Sequence, residues 1–280
     1  MTDQYAVIGN PIAHSKSPQI HAAFAKQTNQ NISYEAILVG VGPNEFEEKI
    51  GQLIADGYKG LNVTVPFKFN ALLFVAQQGT VNPLANRARA VNTLTFKNGD
   101  IIGNNTDGIG LVRDVEKNLN FKIAGKRVLI LGSGGAAFGV LQPVANANPS
   151  RVVISNRTFA KAEEAARILS EVVDTSKNKT VCIAKQFDQL GDEAFDLVIN
   201  STSTGLTDTA LPIPDSVFAK NCLAYDMMYG RETPFMAQAR ETGAQVADGL
   251  GMLVEQAAEA FYIWRGVLPE TAPVIAELRN

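Results

Sequence analysis

The chain has 280 residues, 46% hydrophobic and 19% charged, with a formal net charge of −3. That much apolar material fills one large core or two modest ones and excludes a disordered chain. The weak negative charge and the lack of a polybasic run argue against a nucleic-acid partner and against binding to an anionic membrane surface. Cys182 and Cys222 are too few for a disulfide framework, and both lie in apolar, strand-like stretches, so buried free thiols are expected. His14 and His21 have no metal-ligand cluster around them, and no metal site is expected. The start, MTDQYAVIGN, has Asp3 and no lysine before Lys16, unlike a basic secretory leader, so the expected location is cytoplasmic. Residues 128–150 are uncharged, but Gly132, Gly134, Gly135, Gly139, Pro143 and Pro149 break them up. They read as strand, glycine turn and helix, and no membrane partner is expected.

In chain order, apolar periodicity predicts a strand at 5–9, a helix at 17–28 with Ser17 as its cap, a strand at 34–39 and a helix at 43–55. A strand follows at 61–65, a helical piece at 71–76, and a strand at 93–96 before the turn pair Asn98-Gly99. A second series has a helix at 109–119, a strand at 127–131, a helix at 136–145, a strand at 152–155 and a helix at 160–169. Strands are predicted at 181–184, 197–200 and 223–226, then a helix after Pro234 and two more at 252–265 and 269–278. Asp56-Gly57 and Thr242-Gly243 read as helix stops. The alternation implies an α/β protein with helices on both faces of parallel or mixed sheets, in two units that part near residue 106.

Strand 127–131 runs directly into Gly132-Ser133-Gly134-Gly135-Ala136 and then a helix, the context a dinucleotide turn requires. Gly132 permits the tight turn, Gly134 lets a pyrophosphate approach, and Ala137 stands where a third small residue packs helix on strand. The helix N-terminus adds free N–H groups and partial positive charge. The next strand ends Ser155-Asn156-Arg157-Thr158, with no carboxylate to hold a ribose 2′-hydroxyl. Arg157 suits a 2′-phosphate instead, so NADP is expected over NAD. Asn156 and Thr158 also suit a strand-end turn and a helix cap.

A nicotinamide enzyme acting on an alcohol or ketone needs a proton donor beside the reacting oxygen. The first half offers Lys68, after a stretch in which Asn62 and Thr64 alternate with Val63 and Val65 and so share one strand face. Its spacing alone does not distinguish it from a surface lysine. Polar clusters also occur at residues 14–18, 90–93 and 103–108, where Asp107 reads equally as a helix cap.

Eight motifs in order resemble the shikimate dehydrogenase family: GNPIAHSKSP (9–18), NVTVPFK (62–68), AVNT (90–93), NTDG (105–108), GSGGA (132–136), NRT (156–158), YDMMY (225–229) and DGLGMLVEQAA (248–258). The resemblance spans essentially the whole chain. It implies a substrate domain of residues 1–106 plus 250–280, a Rossmann-like NADP domain of residues 107–249, and an active site in the cleft between them. The implied reaction is reversible reduction of 3-dehydroshikimate to shikimate with NADPH, in a monomer or homodimer. The family's catalytic pair falls on Lys68 and Asp107. Ser15, Ser17 and Tyr229 are implied at the substrate carboxylate, and Thr64, Asn92 and Gln256 at the ring hydroxyls with Asn62 nearby. On the cofactor side the resemblance implicates Gly132, Ser133, Gly134, Gly135, Ala136, Asn156, Arg157, Thr158, Lys161, Ser201, Thr202, Met227, Gly249 and Met252, with Gly249 and Gly251 admitting the nicotinamide.

The chain departs from the family pattern at Pro83, in place of an acidic residue, and at Arg89, in place of a glycine before AVNT. Three other readings compete. A quinate/shikimate dehydrogenase using NAD would carry an acid near position 156. A non-catalytic sensor of a shikimate-like metabolite would have lost the Lys68/Asp107 pair or the glycine turn. A methylene-folate dehydrogenase would lack the SKS and NTDG motifs.

Overall fold

A computed structural model describes residues 2–173, 180–204 and 209–279. It divides into two units, residues 1–110 with 254–280 and residues 111–253. Both passages between units fall inside helices, a few residues beyond the 106/107 and 249/250 boundaries expected from the sequence.

The first unit contains β1 (Asp3–Gly9), α1 (Ser17–Thr28), β2 (Ile32–Leu38), α2 (Glu45–Ala55), β3 (Gly60–Val63), α3 (Lys68–Gln78), β4 (Thr80–Val81), α4 (Pro83–Ala88), β5 (Thr93–Lys97) and β6 (Asp100–Asn104). The sheet order is β2-β1-β3-β5-β6-β4. The β1, β2 and β3 strands run parallel, whereas β5 is antiparallel to both β3 and β6. Asn98 and Gly99 take φ of 54° and 86°, the left-handed pair that closes a tight hairpin, and so β5 turns back into β6. This geometry brings the C-terminal ends of β1, β3 and β6 and the start of β5 to one end of the sheet. There the Asn92 carbonyl accepts from the Val63 N–H at 2.8 Å and the Asn92 N–H donates to the Asn104 carbonyl at 3.0 Å. Ala6, Ile8, Leu61, Val63 and Leu94 pack beneath α2 and α3.

α5 (Asp107–Arg113) leads into a π-helical turn at Asp114–Asn118 and then the second unit. That unit holds β7 (Arg127–Leu131), α6 (Gly135–Asn146), β8 (Arg151–Ser155), α7 (Phe159–Val172), β9 (Val181–Lys185), β10 (Phe195–Asn200), β11 (Phe218–Asp226), α8 (Pro234–Glu241) and β12 (Gln245–Ala247). Its sheet order is β12-β11-β10-β7-β8-β9, parallel throughout. Counted from its own first strand this is the 3-2-1-4-5-6 order of a Rossmann fold, with the order reversing between β7 and β10. Alternate residues cover both faces. Val128, Ile130 and Ile154 join one core, while Leu129, Leu131 and Val153 join the other. A parallel sheet buried on both sides reads as the continuous apolar runs seen in the sequence. The chain ends in α9 (Leu250–Arg265) and α10 (Ala272–Arg279).

Several sequence expectations need correction. Ser17 is the first helical residue of α1 and not its cap. Lys16 holds that position without a side-chain bond, and the Ser17 N–H donates instead to Ser15 Oγ at 3.3 Å. Lys68 opens α3, which starts three residues ahead of the predicted piece and ends at Gln78. The predicted helix 109–119 starts at Asp107 and widens into the π-helical turn. β4, β6, β12 and α4 were not predicted. Cys222 is buried but Cys182 only half-buried, and both are free. Burial pushes their thiols up to about 12 and about 11, so neither is a reactive thiolate near neutral pH. Among the described residues no helix is long and apolar enough to cross a membrane, and none cluster as a metal site.

Candidate active site

In the first unit Lys68 and Asp107 come from the starts of α3 and α5, and the sheet end brings them together. Lys68 Nζ donates to Asp107 Oδ2 at 2.6 Å. The lysine side chain is 31% exposed and the aspartate 11%, so the ammonium has an open side while the carboxylate is walled in. Asp107 is held from its other oxygen by Asn92 Nδ2 at 2.9 Å. Its backbone N–H donates to Asn105 Oδ1 at 3.1 Å, so Asn105 and not Asp107 supplies the side-chain bond at this helix start.

Asn92 is a hub. Its Nδ2 also donates to Thr106 Oγ1 at 2.9 Å, and its Oδ1 accepts from the Thr106 N–H and from Thr93 Oγ1, each at 2.9 Å. Asn62 is engaged in the same way. Tyr34 Oη donates to Asn62 Oδ1 at 2.7 Å, while Asn62 Nδ2 donates to the Asn92 carbonyl at 3.2 Å and to Thr93 Oγ1 at 3.1 Å. Both amides are buried and held by protein partners. Such a network keeps its members at fixed angles, because an unmade bond in a buried site costs the desolvation of the group left over. Gln256, on α9, joins through Asn92 Nδ2 and Thr106 Oγ1, each 3.3 Å from its Oε1. Thr64, half-buried, directly follows β3. Ser15 and Ser17 lie together after β1, the Ser17 N–H donating to Ser15 Oγ at 3.3 Å. Tyr229 belongs to the second unit, half-buried, with its phenol pushed up by burial. Tyr34, Thr93, Asn105 and Thr106 were not picked out individually from the sequence. Three of them stand within the AVNT and NTDG motifs, but Tyr34 sits in an ordinary strand pattern with no local signal.

In the second unit a cavity of about 520 Å³ opens at the C-terminal ends of β7, β8 and β10, beside the point where the strand order reverses. Gly132 turns there with φ of 103°, and a Cβ on it would meet Ser201 Oγ at 2.7 Å. Gly134 and Gly135 differ: a Cβ on either would meet no protein atom within 4 Å. Protein packing does not require their smallness, but a phosphate lying on the start of α6 would. Ser133, Ala136, Asn156, Arg157, Thr158, Lys161, Ser201 and Thr202 also line this cavity. Thr158 stands at the cap position of α7 but makes no side-chain cap bond; its carbonyl accepts from Asn156 Nδ2 at 3.0 Å. Arg157 and Lys161 are exposed and form no ion pair among the described residues, so two cations face a cavity without an acid at the β8 end. These donors fit a phosphorylated dinucleotide. Phe187 and residues 209–212 complete the walls and were not anticipated, since they come from irregular segments without a motif.

Met227, Gly249 and Met252 do not line that cavity. A Cβ on Gly249 would meet the Met227 carbonyl oxygen at 2.3 Å, and one on Gly251 would meet Asp114 Oδ1 at 1.9 Å. The chain's own packing therefore already demands glycine at both positions. Asp114 in turn accepts from Tyr225 Oη at 2.6 Å, a fully buried phenol pushed well up by burial and by the carboxylate.

Three family models match the chain: "Shikimate dehydrogenase substrate binding domain" over residues 7–94, "Shikimate / quinate 5-dehydrogenase" over 114–207, and "Shikimate 5'-dehydrogenase C-terminal domain" over 249–279. A curated "Shikimate dehydrogenase (NADP(+))" of Methylobacillus flagellatus is 56% identical, covering 99% of each chain. One from a Janthinobacterium species is 51% identical over 100% of this chain and 98% of its own. The fold matches an Ael1 enzyme from Pseudomonas putida with a TM-score of 0.91 and 44% identity, over 99% of this chain and 98% of that one. It also matches a Thermus thermophilus shikimate 5-dehydrogenase solved with NADP(H) and shikimate, with a TM-score of 0.85 and 30% identity over 99% of both chains. The chain belongs to the shikimate dehydrogenase family.

Proposed function

We propose that this protein catalyses the reversible NADPH-dependent reduction of 3-dehydroshikimate to shikimate. The observation that carries this reading is the 2.6 Å Lys68–Asp107 pair, with its open lysine, at the end of the first sheet. NADPH, when bound, supplies the hydride. Lys68 Nζ gives a proton to the carbonyl oxygen that becomes the new hydroxyl, and takes it back in the oxidative direction. Asp107 accepts from the ammonium and keeps it aimed. Ser15, Ser17 and Tyr229 hold the carboxylate. Thr64 and Gln256 read the ring hydroxyls above the fixed floor that the Asn62–Asn92 network makes, so an analogue lacking a hydroxyl leaves a polar partner unpaired. Gly132, Gly134, Gly135 and the start of α6 take the pyrophosphate, while Arg157, Thr158 and Lys161 take the 2′-phosphate. Gly249, Met227 and Met252 face the nicotinamide end. The protein works in the cytoplasm as a monomer or homodimer, without nucleic-acid or membrane partners.

Initial rates of shikimate and quinate oxidation, each with NADP and with NAD, test this. Strong turnover with shikimate and NADP alone is the expected result. Comparable rates with quinate or NAD would move the protein to a broader quinate/shikimate activity, and no turnover in any of the four would overturn the reading.

A further inference from the structure

In the second unit β10 and β11 end side by side, with Asn200 opposite Asp226 in register. The two residues are 1% and 0% exposed, and Asn200 Nδ2 donates to Asp226 Oδ2 at 3.0 Å. Each end of this pair meets a backbone N–H, which can only donate. Asn200 Oδ1 accepts from the Thr202 N–H at 3.1 Å and from Thr202 Oγ1 at 2.7 Å. Asp226 Oδ1 accepts from the Met228 N–H at 2.9 Å. Asn200 must therefore turn its NH₂ group toward Asp226, and both oxygens of Asp226 must accept. A carboxylate meets that demand and an amide does not. Thr233 Oγ1 adds a further donor to Asp226 Oδ2 at 2.6 Å.

The pair joins two loops. On one side Ser201 and Thr202 line the cavity, and Ser201 lies against the Gly132 turn, its N–H and its hydroxyl donating to the Leu131 carbonyl at 2.9 and 2.7 Å. On the other side the Met227 N–H donates to the Asn200 carbonyl at 3.0 Å, and the Met228 carbonyl accepts from the Gly249 N–H at 2.8 Å. We propose that Asp226 is a positioning residue for the dinucleotide: one buried carboxylate, accepting at both oxygens, fixes the Ser201–Thr202 wall relative to the Met227–Met228 loop. It needs no contact with the cofactor. This rests on the reading of the second unit as the NADP site.

The test starts from Asp226→Asn, which keeps the shape but accepts at only one end, so that either Asn200 or the Met228 N–H loses its partner. The transposed variant Asn200→Asp/Asp226→Asn reverses the pair and satisfies both backbone donors again, because Thr233 Oγ1 can accept as well as donate. Thr233→Val removes the further donor and touches neither loop. NADPH binding is read by fluorescence titration, and the two loops by amide hydrogen exchange of the ligand-free protein. One lost hydrogen bond corresponds to roughly a three- to tenfold change in binding. Asp226→Asn is expected to weaken NADPH by about that factor, to speed exchange in at least one of the loops, and to change KM for shikimate much less. The transposed variant should recover most of the affinity and the protection. Thr233→Val should lower the melting temperature without weakening NADPH. Unchanged NADPH binding in Asp226→Asn, a transposed variant no better than that single change, or an equal loss of affinity in Thr233→Val would each overturn the proposal. Should Asp226→Asn not fold, the transposed variant decides: folding with NADPH binding supports the proposal, and failure to fold overturns it. Failure of the NADP reading is distinguishable, because the wild-type protein would then not bind NADPH at all.

Discussion

Asn92 Nδ2 sits 2.9 Å from Asp107 Oδ1, on the carboxylate oxygen that Lys68 does not use. The carboxylate is thus gripped from both sides, by a buried neutral amide and by a partly open ammonium. Rotation of Asp107 would break one bond or the other, so the lysine is held at a fixed point while its outer side stays open to a ligand.

Replacing Lys68 with alanine is expected to lower turnover by roughly 10²–10⁴, the usual scale for a general acid/base, with the circular dichroism spectrum unchanged. Near-normal rates in a folded variant would remove Lys68 from the chemistry.

Arg157 is exposed and lines the second unit's cavity, with no acidic partner among the described residues. Arg157→Ala should weaken NADPH binding by roughly ten- to hundredfold, the scale of one charged hydrogen bond, and NADH binding far less. Equal losses for both, measured by fluorescence titration, would show that the guanidinium does not read the 2′-phosphate.

His21 is fully buried, stacked on Tyr34 at 4.0 Å and flanked by Phe24, Phe261 and Trp264. Its ring nitrogens make no hydrogen bond of normal geometry among the described residues. Desolvation pushes its pKa down to about 3 from 6.5, outweighing the opposite pull of Asn62. The unfolded chain therefore takes up a proton below pH 6.5 that the folded chain refuses down to about pH 3. The corresponding stability is complete above pH 6.5 and is lost as pH falls, by about 1.4 kcal/mol per unit. Urea unfolding at pH 7 and pH 5 should show a loss smaller by about 2 kcal/mol in His21→Phe than in the wild type. Identical pH dependence in the two proteins would refute the buried neutral imidazole.

Two glycine-to-alanine changes should differ in sign. Gly249→Ala drives a Cβ into the Met227 carbonyl and should cost about 1–3 kcal/mol. Gly51→Ala, exposed within α2 with no atom within 4 Å of the new Cβ, should add about 0.5–1 kcal/mol through helix propensity. Thermal melts compare them directly. A Gly249→Ala variant as stable as wild type would mean that the β11–α8 loop yields easily.

The sequence by itself determined the alternating α/β order, the glycine turn after β7 and the cationic end of β8. Each is a local pattern, carried by apolar periodicity, by glycines at set spacing and by the absence of an acid at one strand end. Family motifs added Lys68, Asp107, Asn92 and Gln256 as a set. Only the tertiary structure decided what these residues do to one another. The pairing of β3 with β5 and the hairpin through Asn98-Gly99 set Asn92 against Asp107, and they turned Asn62 and Asn92 into a buried network closed by Tyr34, Thr93 and Thr106. The short β4 and β12 and the two-turn α4 escaped prediction because so few residues carry no periodicity. Packing likewise explained Gly249 and Gly251 without a ligand, since the groups that exclude their side chains, Met227 and Asp114, come from distant parts of the chain. Hydrogen-bond direction depends on which donors and acceptors converge, and no local pattern encodes that convergence.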